Sequence, residues 1–201
     1  MNITPLFPQL IAKTKLNKHQ ELKETFAKDL IKKFEAKENE KFDWAKYCDS
    51  WQIDALPEMN ILEQELLPHI GNWCEHFKLS PFDFKIGGWW NVHTSDMYQE
   101  THDHMLGRAV LCGIYYLQLN KEDTPIVFMP HQDDYQTHLL NLGIKFKHDY
   151  LALESSEVSS LNIEEGDLIL FTPDNKHLAP KAKQHHKGHR ISLAFNVEKT
   201  G

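Results

Sequence analysis

The stretch from Trp89 to Leu117 reads WWNVHTSDMYQETHDHMLGRAVLCGIYYL, and it decides the fold of this chain. Its last ten residues are largely apolar, rich in β-branched and aromatic side chains, and too few for a typical helix, so they predict a buried strand. Before them stand His102 and His104, separated by Asp103. In an extended segment, residues two positions apart face the same way. Two histidines that share one face can hold a metal ion.

Short apolar runs continue downstream of that stretch. From residue 82 onward the hydrophobic period is two, and turn residues separate the runs. The pattern predicts strands near 126–129, 161–163 and 167–171, the last of them entered through a turn at Gly166. A buried strand between the histidine pair and these runs, followed by another at the end of the chain, is typical of a sandwich or barrel.

Upstream, the hydrophobic period changes to that of a helix. Apolar side chains recur every three or four positions over 17–37 and 58–78, with Asn17 as the N-cap of the first helix. Pro68 lies inside the second pattern and should kink it or begin a new turn. Two helices followed by many short strands indicate an α+β fold.

Three further segments have less regular patterns. Residues 3–16 contain two prolines and predict an edge strand, where proline is tolerated. Residues 38–57 give no clear period and are interpreted as a packed connection. Residues 130–160 are polar and the least regular part of the chain, and we interpret them as an insert that faces the substrate. Cys112, within an apolar strand, is expected to be a small buried hydrophobe.

The composition limits the classes of protein that this chain can be. Its 201 residues fit one domain, 1–201, with a substantial core. A formal charge of −7 makes a nucleic-acid backbone a poor partner, because phosphate binding needs a basic surface. Three cysteines without paired spacing favour a reducing compartment, and neither a signal peptide nor an apolar run of membrane-spanning length is visible. We therefore expect a cytoplasmic protein that binds neither nucleic acid nor a membrane.

The strand at the end of the chain separates its side chains by face. The alternate residues Ile191, Leu193, Phe195 and Val197 are apolar, whereas the face that begins with Arg190 and Ser192 is polar. The apolar face can pack on the helices, and the polar face would then line the barrel. A guanidinium in such an interior must be paired, and a planar carboxylate is its natural partner. Either a protein side chain or a bound ligand can supply that carboxylate.

Five motifs, in this order, resemble the 2-oxoglutarate- and Fe(II)-dependent oxygenases. Within that superfamily the chain is most similar to a group of bacterial and phage oxygenases, and two of the motifs also resemble prolyl hydroxylases. The resemblance covers roughly residues 84–197. Its motifs are Trp89-Trp90-Asn91, His102-Asp103-His104, Gly113 to Leu117, Gly166 to Phe171, and Arg190 to Asn196.

The resemblance implies a fold and an activity. The fold is a double-stranded β-helix, a jelly-roll or cupin-like barrel, over 82–197, with supporting helices in 1–80 and the insert at about 130–160. The activity is that of a dioxygenase that hydroxylates an unidentified small-molecule or peptide substrate and releases succinate and carbon dioxide. The cofactors are Fe(II), 2-oxoglutarate and O2, with ascorbate in a supporting role.

The same resemblance implies roles for particular residues. The superfamily carries a His-x-Asp/Glu pair, a distal histidine, and an arginine beyond it that holds the cosubstrate. In this chain the implied metal ligands are His102, His104 and His177. The implied residues of the 2-oxoglutarate pocket are Arg190, Ser192, Tyr116 and Asn91.

Alternatives remain open at this point. His104 stands where the superfamily has Asp or Glu, so the remaining ligand is His104, Asp103 through a local bulge, or Glu100. Strand parity and motif order favour His104. A three-histidine cupin dioxygenase that does not use 2-oxoglutarate also explains the histidines, although it leaves Arg190 without a role. A barrel that binds a ligand without a metal is the third possibility. The sequence specifies neither the substrate nor the oligomeric state.

Overall fold

The structure is a computed structural model and describes residues 10–36, 51–54, 60–129 and 161–201. Two helices and nine strands lie within these ranges. In chain order they are β1 (Ile11–Lys15), α1 (His19–Glu35), β2 (Trp51–Asp54), α2 (Asn60–His76), β3 (Phe84–His93), β4 (Gln99–His102), β5 (Ala109–Gln118), β6 (Val127–Phe128), β7 (Asp167–Phe171), β8 (His177–Ala179) and β9 (Arg190–Lys199). The positions of β5, β6 and β7 confirm the strands predicted there.

The strands form two antiparallel sheets. The main sheet has six strands in the order β1-β7-β5-β9-β3-β2, and the minor sheet has three in the order β4-β8-β6. Strands β3 and β9 pair along their whole length, from Phe84 opposite Lys199 to His93 opposite Arg190. Strand β1 lies at one edge of the main sheet, which confirms an edge strand in this segment. Two antiparallel sheets with two helices confirm the predicted α+β class.

The outer face of the main sheet, defined as the face that packs on α1 and α2, carries the larger hydrophobic core. On β9, Ile191 and Leu193 are completely buried, which confirms the predicted apolar face of that strand. The helices contribute Leu22, Phe26 and Leu30 from α1, and Leu62, Leu66 and Ile70 from α2. Burying an aliphatic side chain of this size contributes roughly 1.5–3 kcal/mol to stability. This face therefore holds the helices on the sheet.

Packing on the outer face also explains why residue 113 of β5 is a glycine. Gly113 lies opposite Phe195 of β9, and the phenyl ring covers the glycine. A Cβ atom at this position would lie 2.2 Å from Cζ of that ring. No carbon–carbon contact of that length is tolerated without movement, so the ring packs there only because residue 113 has no side chain.

The inner face of the main sheet, defined as the face turned towards the minor sheet, is mixed in character. Its apolar cluster includes Cys112, Ile169 and Phe171 from the main sheet and Phe128 from the minor sheet. Cys112 is buried as a free thiol, which confirms its predicted role as a small hydrophobe. Between this cluster and the polar residues of β9 lies the cavity described below.

Some predicted elements differ from the structure. Helix α1 begins at His19, after an N-cap at Lys18 that makes no side-chain capping bond, so the prediction of Asn17 as the N-cap is wrong. The predicted strand at 161–163 is also wrong, because these residues pair with no strand. Leu161 and Ile163 are buried there. The alternating apolar residues therefore reflect burial of a loop and not pairing in a sheet. Helix α2 is continuous through Pro68.

The first eighty residues also add strands to the main sheet. Strand β2 lies in the segment interpreted as a connection and pairs with β3, placing Trp51 opposite Val92. Most of that segment and all of the insert at 130–160 lie outside the described residues. Neither α1 nor α2, the two helices in the described ranges, is long and apolar enough to cross a membrane.

Candidate active site

Three histidines meet on the inner side of the barrel, and their ligand nitrogens lie within 4.8 Å of one another. The ring centres of His102 and His177 are 4.3 Å apart, and those of His104 and His177 are 5.3 Å apart. In the described part of the chain, this is the one cluster of three or more side chains able to share a metal ion. Imidazole nitrogens bind such an ion at about 2.0–2.1 Å, so the spacing suits a common ligand.

Strand pairing brings two of the three together. His102 is the last residue of β4 and lies directly opposite His177, the first residue of β8. The pairing register between β4 and β8 shifts between Gln99 and His102, which marks a bulge or irregularity in the ladder. Directly opposed residues have Cβ atoms about 4.5–5.5 Å apart, close enough for both side chains to reach one ion. The distal histidine that the resemblance implies therefore comes from a separate strand, β8.

His104 reaches the cluster by a route that differs from the prediction. The expectation that one strand continues through His104 is wrong, because β4 ends at His102 and the chain then turns. The backbone N–H of His104 donates to the carbonyl of Pro173 at 2.9 Å, which ties this turn to the loop before β8. Its ring lies parallel to that of His177 and stacks on Trp89. Long-range contacts, rather than strand parity, set its position.

The two carboxylates considered as alternatives have other surroundings. Asp103 accepts a hydrogen bond from the backbone N–H of Met105 at 3.1 Å, which closes the turn after β4. The side-chain Oε2 of Glu100 is buried and has no hydrogen-bond partner among the described residues. Neither carboxylate belongs to the histidine cluster.

Backbone carbonyls fix the orientation of two of the rings. Nδ1 of His102 lies 2.8 Å from the carbonyl oxygen of Glu100, and Nδ1 of His177 lies 2.8 Å from that of Asn175. A carbonyl oxygen only accepts, so Nδ1 carries the hydrogen in both rings. The lone pair of each ring is then on Nε2, which is the nitrogen available to a metal.

Burial keeps two rings of the cluster, those of His104 and His177, uncharged. Burial, followed by the neighbouring His102, lowers the pKa of His177 to about 3. The same two causes lower the pKa of His104 to about 4. Both rings are therefore neutral at pH 7, and neutral imidazole is the form that binds metals. The donor chemistry of the cluster fits a divalent transition ion such as Fe(II).

Arg190 lies in the same cavity and is only 3% exposed. Its Nη1 donates to the carbonyl oxygens of Thr124 and Pro180, the second at 3.0 Å. Asp123 acts on the guanidinium electrostatically, but its carboxylate pairs with His186 instead. Within the described ranges no carboxylate forms an ion pair with Arg190. The guanidinium is therefore a buried cation that suits an anionic ligand.

Three polar residues form a row beside the arginine. Ser192 of β9 lies between Asn91 of β3 and Tyr116 of β5, and all three are buried. Asn91 Oδ1 accepts from Gln52 Nε2 at 2.9 Å, and the Tyr116 hydroxyl accepts from the backbone N–H of Ile126 at 2.7 Å. Burial raises the pKa of Tyr116 to about 12, so the hydroxyl keeps a hydrogen that it can donate. All seven residues singled out from the sequence line one cavity.

Sequence reasoning missed one residue of this cavity, His93. It is the last residue of β3, pairs with Arg190, and its Nδ1 lies 2.7 Å from the arginine Nη2. Burial, and then the charge of Arg190, hold its pKa well below the ordinary value. A signal was present in the sequence, because His93 is two residues after Asn91 and shares its face.

Comparison with protein families gives one match. A family model described as "Putative 2OG-Fe(II) oxygenase" matches residues 87–196, which is more than half of the 201-residue chain. No curated protein sequence matches the chain significantly.

Solved structures with a similar fold include two prolyl hydroxylases. The prolyl-4-hydroxylase of Pseudomonas putida has 12% identity and a TM-score of 0.63, over 96% of this chain and 94% of that one. The viral collagen prolyl hydroxylase of Paramecium bursaria Chlorella virus-1, in its 2OG complex, has 11% identity and a TM-score of 0.56, over 94% and 96%. HygX of Streptomyces hygroscopicus, with nickel and 2-oxoglutarate bound, has 12% identity and a TM-score of 0.55, over 96% and 84%. At these identities the likeness shows the fold, and it confirms the predicted double-stranded β-helix.

Proposed function

The chain belongs to the 2OG-Fe(II) oxygenase family, and from that premise we propose that it hydroxylates a small-molecule or peptide substrate. Family membership confirms the predicted cofactors, Fe(II) and 2-oxoglutarate. When bound, these groups supply the oxidising chemistry, in which O2 and 2-oxoglutarate are consumed and succinate and carbon dioxide are released. The residues of the chain bind these groups, orient them and separate them from bulk water.

We assign the Fe(II) site to His102, His104 and His177. The support is their mutual distance, the two Nδ1–H groups tied to backbone carbonyls, and the low pKa values that keep His104 and His177 neutral. Three neutral donors leave the formal charge of the ion at +2, which favours a dianionic cosubstrate beside it. Asp103 is already engaged in its turn and is a weaker candidate.

We assign the far carboxylate of 2-oxoglutarate to Arg190. A buried cation without a carboxylate partner in the described ranges needs an anion, and the cavity connects it to the histidines. This feature argues against a three-histidine cupin that does not use 2-oxoglutarate, because such an enzyme would leave the guanidinium uncompensated. The histidine cluster argues against a barrel without a metal, because that alternative gives the cluster no role.

Ser192, Tyr116 and Asn91 complete this end of the cavity in our proposal. The Tyr116 hydroxyl already accepts one hydrogen bond, so its own hydrogen can go to a ligand carboxylate. Ser192 pairs directly with both neighbours in the sheet and can donate in the same direction. Asn91 is held by Gln52 and is assigned to the wall of the cavity. Hydrogen bonds to a charged group of this kind are each worth about 1.5–3 kcal/mol.

A second pocket, adjoining the histidines, is our candidate for the entry of the substrate. It is lined by His102, His104, Trp89, Gln52, Asn196 and Leu106, among others. Leu106 is fully exposed, and Asn196 Oδ1 is buried without a partner in the described part of the chain. The pocket therefore offers an aromatic surface and an unused hydrogen-bond acceptor, and both small molecules and peptides remain candidates.

One observation carries the proposal: the three histidines share a single cavity with Arg190, which has no carboxylate partner in the described ranges. The test is calorimetric titration of 2-oxoglutarate, in the absence of oxygen, into protein loaded with Mn(II) and into metal-free protein. We expect tight binding only with the metal, and slow succinate formation when Fe(II), ascorbate and O2 are supplied. If the metal-loaded protein does not bind 2-oxoglutarate, the cupin alternative replaces this proposal. If neither Mn(II) nor Fe(II) raises the melting temperature, the metal-free barrel replaces it.

A further inference from the structure

Within the described ranges, the hydrogen bonds of Arg190 occupy Nη1 and part of Nη2 and leave the Nε–Nη2 edge of its guanidinium for a ligand. A guanidinium has five N–H donors in a rigid plane. The two on Nη1 have two acceptors, the carbonyl oxygens of Thr124 and Pro180. One of the two on Nη2 goes to Nδ1 of His93. The remaining donors are the second hydrogen of Nη2 and the hydrogen of Nε, and these two nitrogens form the in-plane edge of the guanidinium that does not include Nη1.

We propose that His93 is a positioning residue that holds Arg190 so that only its Nε–Nη2 edge meets the cosubstrate carboxylate, and that this fixed edge selects the length of the 2-oxo diacid. This inference rests on the proposed function, in which Arg190 binds the far carboxylate. It goes further by naming the edge, the residue that sets it and the property that depends on it.

The chemistry of His93 suits this role. An arginine only donates hydrogen bonds, so Nδ1 of His93 must be the acceptor and the ring hydrogen must be on Nε2. The ring is 2% exposed, and a buried neutral imidazole accepts from a cation without adding a second charge. Its lowered pKa agrees with that state. Because His93 and Arg190 are also a directly opposed pair on β3 and β9, the backbone fixes the distance between them.

The opposite side of the guanidinium is held by a rigid turn. Asp123, next to Thr124, accepts from both the backbone N–H and the side chain of Asn120 at 2.8 Å. Its other oxygen lies 2.9 Å from Nε2 of His186, and this pair is nearly buried. The carbonyl of Thr124 thus belongs to a loop that is itself hydrogen-bonded, which restricts rotation of the guanidinium.

A fixed guanidinium has a predictable effect on selectivity. The carboxylate-binding edge and the histidine cluster belong to one cavity, so the distance between them sets the spacing of the two ends of the ligand. A preorganised site loses little side-chain entropy on binding, and it loses affinity quickly when the ligand is one methylene too long. In this proposal, an immobile Arg190 makes the cavity selective for the length of the family's cosubstrate, 2-oxoglutarate, over that of its longer homologue 2-oxoadipate.

The test compares three substitutions of His93 that differ in where they place an acceptor. Asn carries an oxygen close to the position of Nδ1, Gln carries it one bond further out, and Phe keeps a ring without an acceptor. His19→Phe is the matched control, because His19 Nδ1 bonds the Tyr115 hydroxyl on the outer face and does not touch the cavity. Dissociation constants for 2-oxoglutarate and 2-oxoadipate are measured by calorimetry on the Mn(II)-loaded proteins without oxygen.

We expect the wild-type protein, His93→Asn and His19→Phe to prefer 2-oxoglutarate by the same ratio. His93→Gln and His93→Phe should lower that preference by about tenfold, the equivalent of one hydrogen bond to a charged group. A purely structural role of His93 would lower the melting temperature of all three variants and leave the ratio unchanged, which would overturn the proposal. Should His93→Phe fail to fold, the Asn and Gln variants decide, since both are polar and differ only in reach. Failure of the wild-type protein to bind 2-oxoglutarate would instead overturn the proposed function.

Discussion

Tyr115 and Tyr116 are neighbours in β5, yet they lie on opposite faces of the main sheet. The Tyr115 hydroxyl is 2.7 Å from Nδ1 of His19 and connects the sheet to helix α1. The Tyr116 hydroxyl points into the cavity and accepts from the backbone of Ile126. The outer face joins the sheet to the helices, whereas the inner face carries the polar residues that can bind ligands. Substitutions on the two faces should therefore separate loss of stability from loss of affinity.

The largest expected effect concerns the metal. His104→Ala removes one of three proposed ligands, so the affinity for Fe(II) or Mn(II) should fall. The loss should exceed the roughly 10–100-fold that follows mutation of a residue that only hydrogen-bonds a metal ligand. Asp103→Ala and Glu100→Ala should be mild, because neither carboxylate lies in the cluster. Metal titrations of the three variants provide the measurement. If Asp103→Ala loses the metal and His104→Ala retains it, the assignment of the third ligand is wrong.

The next effect concerns the cosubstrate. Arg190→Ala should weaken 2-oxoglutarate binding to the metal-loaded protein by roughly 2–5 kcal/mol, because a carboxylate would remain buried without its cation. Arg108→Ala is the control, since Arg108 is exposed and its side chain, in the described part of the chain, donates only to the carbonyl of Gly201. Calorimetry should show no change for the control. Equal affinities for both variants would place the carboxylate elsewhere in the cavity.

Two buried histidines on the inner face predict how the free energy of unfolding depends on pH. His177 and His104 have folded-state pKa values of about 3 and about 4, below the usual 6.5. Below pH 6.5 the unfolded chain binds protons that the folded chain does not, so the free energy of unfolding should fall as the pH is lowered from 6.5 towards these values. The limiting slope is about 1.4 kcal/mol per pH unit for each histidine. Urea unfolding of metal-free protein between pH 8 and pH 5 measures it, and His177→Gln should reduce the slope.

On the outer face, Gly113→Ala should destabilise the protein and leave ligand binding unchanged. The new methyl group would overlap the ring of Phe195, and overpacking of this kind costs about 1–3 kcal/mol. The double variant with Phe195→Leu should recover part of the loss, because the smaller side chain leaves room. Denaturant unfolding and metal titration are measured together. A fall in metal affinity without a fall in stability would show that the two faces are not independent.

The smallest effects come from the two tyrosines themselves. Tyr116→Phe should reduce the affinity for 2-oxoglutarate by about 0.5–3 kcal/mol and change stability little. Tyr115→Phe should lower the free energy of unfolding by about 0.5–1.5 kcal/mol and leave that affinity unchanged. Calorimetry and urea unfolding on both variants complete the comparison. An exchange of the two results would mean that Tyr115 serves the cosubstrate.

The sequence predicts the faces of the long strands because their alternation is local. Every second residue of β9 is apolar, and that pattern alone separates the core from the cavity. His177 and Arg190, to which the resemblance assigns roles, line one cavity in the structure. Strand β2 is missed for the opposite reason, since its four residues are too short to establish a period.

Positions that depend on distant contacts are harder to predict. His104 is placed by a bond to Pro173, and no local pattern shows where β4 ends. The role proposed for His93 can be recognised only from its contact with Arg190, which lies almost a hundred residues later in the chain and opposite it in the sheet. Residues 161–163 alternate like a strand, but they pair with none of the nine strands that the described ranges contain.

The short strands of the minor sheet have a consequence for the local stability of the protein. Strands β4, β8 and β6 have four, three and two residues, so few backbone hydrogen bonds hold this sheet together. Such a unit opens at a lower free energy than the six-stranded sheet beneath it, and amide hydrogen exchange would detect the opening. Two of the proposed ligands belong to this sheet, so binding an ion also closes it. We therefore expect added Fe(II) or Mn(II) to slow cleavage of the minor sheet by a protease.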